Sequence, residues 1–207
     1  HYPDAVAPGV AIPFGVFRAV VLEQPYGDDG VTLFDWMVRQ YRQIGQMPED
    51  SDERREFTER FRSELHDRIA ATRPDADFRK RLRTAMEEAF GDLEQQGVFI
   101  RSDTNVEDLA GFTGAGLNLT LPNVVGFDQV VDGIARVWAS PFTARAYTWR
   151  QSHMEQPEHV YPAVLLLQSV PNDKSGVMVT QDIDTGDPAV LSVAVNEGVG
   201  GAVDGQA

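Results

Sequence analysis

The feature that most constrains this chain is a change in the period of its apolar residues. From Leu33 to Leu93 they recur every three or four positions, as on one face of a helix; from Gly97 onward they fall into short continuous or alternating runs, as in strands. Leu33, Phe34, Met37, Val38 and Tyr41 predict a first amphipathic helix within 31–44, and Phe57, Phe61, Leu65 and Ile69 predict a second. The polar stretch from Met47 to Asp52 separates them, with Ser51 or Asp52 available as the cap of the second. A third helix is expected after Pro74-Asp75, running through Phe78, Leu82, Met86, Phe90 and Leu93. Ahead of them, Val10 to Phe17 is an apolar stretch broken by Pro13 and Gly15, which predicts an extended entry strand.

The second half has a different grammar. Gly97-Val98-Phe99-Ile100 predicts a buried strand that delivers a polar loop, Arg101 to Asn105, and Leu117 to Leu121 alternates as a half-buried strand ended by Pro122-Asn123. Two helices should follow. One carries Val130, Ile134 and Val137; the other is capped by Ser140-Pro141 and carries Phe142, Ala146 and Trp149. The runs 163–170, 176–182 and 189–195, joined by short turns, suggest an antiparallel meander. The expectation is an α+β protein of two lobes. A mainly helical lobe would span residues 1–110, and a lobe with the glycine-rich loop, the helix pair and the strands would span 111–207.

Composition narrows the function classes. The 207 residues, 42% of them hydrophobic, suffice for a sizeable core. A formal charge of −14 opposes binding to nucleic acid, and no apolar run reaches the ~18 residues of a membrane span. With no cysteine there are no disulfides or thiolate sites, which fits a cytoplasmic protein. The start at His1 and the end in a glycine-rich run suggest a piece of a longer protein.

An acidic protein that binds a polyanion must do so through local cations, which directs attention to single arginines. Arg101 follows a buried strand, and its guanidinium could hold phosphate oxygens or pair with Glu107 or Asp108. Gly111-Phe112-Thr113-Gly114-Ala115-Gly116 could bring backbone amides close to phosphates, or could simply be a turn; it lacks the Lys-Ser or Lys-Thr of a Walker loop. Gln168-Ser169-Val170 ends an apolar run, where backbone groups could meet an adenine edge. Glu197 and Asp204, in a second glycine-rich run, are candidate Mg²⁺ ligands. The four histidines are expected to face solvent, and Trp36, Trp138 and Trp149 to belong to the core.

Four ordered motifs give a resemblance. Phe99-Ile100-Arg101-Ser102 with Glu107-Asp108-Leu109, Val137 to Ala146 (VWASPFTARA) with Arg150, Leu167 to Val170 with Ser175 to Thr180 (SGVMVT), and Val10 to Phe17 resemble segments of the ATP-binding domain of the phosphoenolpyruvate synthase and pyruvate phosphate dikinase family. The resemblance implies an ATP-grasp-like domain whose two lobes clamp ATP with Mg²⁺. It implies a β-phosphoryl group passed to a histidine on a separate swivelling domain. Arg101 would contact the transferring phosphates. Gly111, Thr113, Gly114 and Gly116 would cover the triphosphate; Gln168, Ser169 and Val170 would form the adenine side. Two features depart from the family: the only lysines are Lys80 and Lys174, neither in the expected context, and Gly201 stands where an acidic residue is expected.

Overall fold

The computed structural model describes residues 6–27, 30–106, 108–109, 112–113, 117–151 and 153–198. It divides into two compact units, residues 1–168 and 169–207. The division falls at the end of a strand, not near residue 110, because strands from either side of residue 110 pair with each other in the first unit.

In chain order the first unit holds strand β1 (Gly9–Ile12), helix α1 (Phe14–Phe17) continued by a π-helical turn (Arg18–Leu22), and strands β2 (Pro25–Tyr26) and β3 (Val31–Thr32). Helices α2 (Leu33–Gln46), α3 (Asp52–Ala70) and α4 (Ala76–Phe90) follow. After them come β4 (Val98–Thr104), β5 (Asp108–Leu109), β6 (Phe112–Thr113), β7 (Leu121–Val124), α5 (Phe127–Ala139), a 3₁₀ turn (Ser140–Phe142), α6 (Ala144–Gln151) and β8 (Pro162–Gln168). The second unit holds β9 (Lys174–Val179) and β10 (Ser192–Glu197). The mixture of helices and antiparallel sheet is α+β.

Helices α2, α3 and α4 each start at a side chain that satisfies a free amide. The Thr32 hydroxyl accepts from the Asp35 N–H at 3.1 Å, and the Asp35 carboxylate accepts from the Thr32 N–H, closing a capping box; donation to that carboxylate by the Thr32 hydroxyl, at 2.8 Å, and by the Thr32 N–H holds the Asp35 carboxyl below its ordinary value. Ser51 accepts from the Arg54 N–H at 3.1 Å and Asp75 from the Phe78 N–H at 2.8 Å. Between cap and stop the expected stripes are buried: Met37 and Tyr41 on α2, Phe61, Leu65 and Ile69 on α3, Phe78, Leu82 and Met86 on α4. Helix α4 stops at Phe90, so Leu93 is buried from the turn that follows, not from the helix.

The centre is a four-stranded antiparallel sheet in the order β1-β8-β4-β7. Helix α5 lies on one face, against β4, β7 and β8, and brings Ile134, Val137 and Trp138 onto Ile100 and Leu166. Trp138 is fully buried and meets the edge of Phe17 at 5.8 Å between ring centroids.

Several local expectations give way to this sheet. Residues 101–104 are not a loop but continue β4, since each pairs with a residue of β8, from Arg101 opposite Leu165 to Thr104 opposite Pro162. Backbone groups with a partner strand alongside form the ladder whatever their side chains prefer. The strand expected at 117–121 lies later, at 121–124, where it can pair with β4. Ser140-Pro141 does not cap the last helix: it forms the 3₁₀ turn, and α6 begins at Ala144. Trp149 is 62% exposed, not core, while His159 is half-buried against Phe34 and Tyr161. The expected three-strand meander does not form either. Strand β8 belongs to the central sheet, and only β9 and β10 pair as a hairpin.

Two glycines permit close approaches. A Cβ on Gly176 would lie 2.6 Å from the Ala194 carbonyl oxygen of the opposing strand, and one on Gly133 would lie 2.4 Å from Ile100 Cδ1. The second sets how closely α5 sits on the sheet. Gly133→Ala is therefore expected to destabilise the protein by about 1–2 kcal/mol in denaturant unfolding, the overpacking cost outweighing the gain in helix propensity. Ile100→Val, which removes the opposing methyl, should cost about 1 kcal/mol alone, and the double variant should be no less stable than Ile100→Val. Simple addition of the two losses would show that the helix is not seated through this contact.

Candidate functional site

Strand alternation gives the central sheet two different faces. Val98, Ile100 and Thr104 of β4 and Val164 and Leu166 of β8 point into the core beneath α5. The opposite face presents Phe99, Arg101 and Asp103 of β4 beside Leu167, Leu165 and Ala163 of β8, in that register. Leu165 is 38% exposed and Arg101 is exposed. This face carries Arg101 and Asp103 among apolar Phe99, Leu165 and Leu167, and the Arg101 side chain makes no ion pair or hydrogen bond with another described residue. A cation so placed can take a bidentate hold on phosphate oxygens while apolar parts of the same ligand rest on leucine side chains.

The loop after β4 is held by an amide clamp at Asn105, the last residue of the polar stretch that follows Ile100. The Asn105 side chain donates to the His159 carbonyl at 3.0 Å and accepts from the Tyr161 N–H at 2.7 Å; its own N–H donates to the Tyr161 carbonyl. Asn105 thus ties the exit of β4 to the entry of β8. Ser140 acts similarly. Its hydroxyl donates to the Val137 carbonyl at 2.8 Å and accepts from the Leu119 N–H at 3.0 Å, anchoring the segment that leads from the glycine-rich run to β7.

A second cluster was visible in the sequence only as the basic residue after the VWASPFTARA motif. Arg150 is 4% exposed, lies 5.7 Å from the Phe142 ring centroid, and has buried Nε and Nη2 atoms without a hydrogen-bond partner among the described residues. Burial lowers its affinity for the proton. Tyr41 and Tyr147 stack nearby at 6.4 Å. Burial raises both phenols, Tyr147 to about 12, so neither exchanges a proton near neutrality. The cluster is built for packing, not for acid–base work.

The other expected site residues are spread along the chain. Gly111, Gly114 and Gly116 lie outside the described residues, as does Asp204. Thr113 is on β6, its backbone opposite Asp108. Gln168 is the last residue of β8: its N–H donates to the Pro8 carbonyl at 3.1 Å and its side chain donates to the Gln96 carboxamide oxygen. The backbone amide of Gln168 is therefore committed within the first unit. Ser169 opens the second unit, and Val170 beyond it is 64% exposed. Glu197 ends β10 opposite Lys174. Among the described residues no three His, Asp or Glu side chains converge as a metal site would need. None of their helices is long and apolar enough to cross a membrane.

The comparisons with known proteins agree with the motifs. The family model described as "Pyruvate phosphate dikinase, AMP/ATP-binding domain" matches residues 30–207. A probable phosphoenolpyruvate synthase of Methanothermobacter thermautotrophicus is 33% identical over 151 residues, covering 70% of this chain and 21% of that protein. One from Pyrococcus horikoshii is 29% identical over 91% of this chain and 22% of that protein. A rifampicin phosphotransferase of Bacillus subtilis is 33% identical over 53% of this chain and 13% of its own length. The chain thus spans about a fifth of the length of the phosphoenolpyruvate synthases it matches. On the match over residues 30–207, the chain belongs to the pyruvate phosphate dikinase AMP/ATP-binding domain family.

Proposed function

We propose that this chain is the ATP-binding part of a dikinase resembling phosphoenolpyruvate synthase, which passes a phosphoryl group from ATP to a histidine on a separate domain. The observation that carries the reading is the placement of Arg101: exposed on a rigid central strand, without a carboxylate partner among the described residues, beside the apolar Leu165 and Leu167. Phosphoryl transfer asks little covalent chemistry of the protein and much positioning and charge neutralisation. In this reading Arg101 binds the oxygens of the transferring group and offsets the charge that builds there. The amides of Gly111 to Gly116 cover the triphosphate, with Thr113 among them. Gln168 to Val170 line the adenine side. The Gln168 N–H already donates to the Pro8 carbonyl, so in this reading it is not the donor to the adenine edge.

The arrangement would be ATP-grasp-like, and the protein would work in the cytoplasm. Magnesium would neutralise the phosphates when bound. The described residues do not fit a metal site on their own: Glu197 faces Lys174 across the hairpin, and Asp204, its suggested companion, lies outside them. The partner of the nucleotide site would be the phosphohistidine domain, in the same parent protein or another chain.

Two observations favour a second reading. Gly201 occupies the place where the family motif has an acidic residue, and the only lysines, Lys80 on α4 and Lys174 on β9, are far along the chain from the expected phosphate-binding position. The chain would then be a nucleotide-binding or interaction module that has kept the fold without catalysis.

Two measurements separate these readings. A ligand at a hundred times its Kd adds about 2.7 kcal/mol, which for a unit of this size raises Tm by roughly 5–10 °C. Saturating ATP with Mg²⁺ should produce such a rise in the 207-residue chain, and Arg101→Ala should weaken affinity about 10- to 100-fold, the worth of a hydrogen bond to a charged group. Unchanged melting with ATP would count against nucleotide binding by this chain. In the parent protein, ATP labelled at the β-phosphate should leave label on a histidine, and Arg101→Ala should remove it; binding without labelling would favour the non-catalytic module.

A further inference from the structure

The first unit contains a cavity of about 390 Å³ that the phosphate and adenine assignments leave unused. It lies where the π-helical turn and β2 meet the end of α3 and the start of α4. Its charged lining is one-sided: Arg68, Arg73 and Arg81 against a single carboxylate, Asp75. Even that carboxylate is partly committed, since it accepts the Phe78 N–H as the cap of α4. Three guanidinium groups around one cavity are conspicuous in a chain whose formal charge is −14.

The arginines are only loosely engaged elsewhere. Arg68 approaches Glu64 at 3.9 Å and Arg73 approaches Asp132 at 3.7 Å; Arg81 pairs with Asp77 at 3.0 Å one turn away on the same helix. All three side chains are more than half exposed, so these pairs are solvated and readily exchanged for a better anion. Arg68 is also steadied over the ring of Tyr26, 4.8 Å from its centroid. Below the cations the wall turns apolar, with Val20, Leu33 and Phe78. The volume is within the range of small-molecule pockets.

We infer that this cavity is a second ligand site, distinct from the Arg101 face, for a small phosphate monoester with an apolar body. Planar guanidinium forks match phosphate oxygens, and the near-dianion carried by a monoester at neutral pH answers the net positive lining. The apolar wall takes the organic part. The inference stands whether or not the dikinase reading holds, since it uses none of the residues assigned there.

Phenyl phosphate is a suitable probe, titrated by calorimetry into the 207-residue chain. Binding should saturate at one site. The double variant Arg73→Gln/Arg81→Gln should weaken it at least tenfold, while Arg101→Gln leaves it unchanged. Both replaced arginines are largely exposed and Arg68 stays over Tyr26, so the double variant should melt by circular dichroism as the wild type does. Inorganic phosphate and benzoate, each lacking one half of the ligand, should bind at least tenfold more weakly. Failure to saturate, equally tight benzoate or inorganic phosphate, or loss of binding in Arg101→Gln with retention in the double variant would each overturn the assignment.

Discussion

The pairing of β4 with β8 is the constraint on which the rest of the first unit depends. Seven residues of each strand are in register, from Val98 opposite Gln168 to Thr104 opposite Pro162. The two strands come from parts of the chain more than fifty residues apart, so their pairing closes a long loop at a cost in chain entropy. Ile100 and Leu166, directly opposite one another and fully buried, are the apolar pair that α5 covers. A slip of β4 by one residue against β8 would turn Ile100 to the open face and bring Arg101 inward. Burial of a guanidinium beneath α5 without a carboxylate would be strongly unfavourable, so the same alternation that builds the core also keeps Arg101 exposed.

That coupling explains why some of the protein was legible in its sequence and some was not. The helices were legible because their signals are local: a stripe such as Phe61, Leu65 and Ile69, and a cap such as Ser51 or Asp75, lie within a few residues of each other. Long-range pairing left no such mark. Residues 101–104 are polar enough to look like a loop, and only the presence of β8 alongside makes them strand. The final strands misled for the complementary reason. Runs separated by short turns suggest a meander, yet β8 is drawn into the central sheet by its alternating buried residues Val164 and Leu166, leaving β9 and β10 to pair alone.

The candidate site divides along the same line. Arg101 was identified from residue type and motif, and the strand gives it a definite direction. Asn105 was grouped with it for its polarity, but its hydrogen bonds all go to backbone at 159–161, and its work is to join β4 to β8. A polar side chain next to a functional one can be there to position it. Amide clamps of this kind have no sequence signature, because their partners are backbone groups that every residue carries.

The VWASPFTARA segment carries that point further. It is the most recognisable motif of the chain, yet its side chains with a clear task are engaged in packing and anchoring. Trp138 fills the space between α5 and Phe17; Ser140 fastens Leu119; Phe142 underlies Arg150, and its carbonyl accepts from Arg62 at 2.9 Å. Arg150 is held among aromatic rings without a carboxylate partner among the described residues, and the π-face of Phe142 and the nearby Tyr41 and Tyr147 offset part of the cost of burying its charge. In this chain the motif fastens α5 and the turn after it within the first unit. In the proposed reading the nucleotide lies against the open side of the sheet, and the packing of this segment beneath it keeps that side in place.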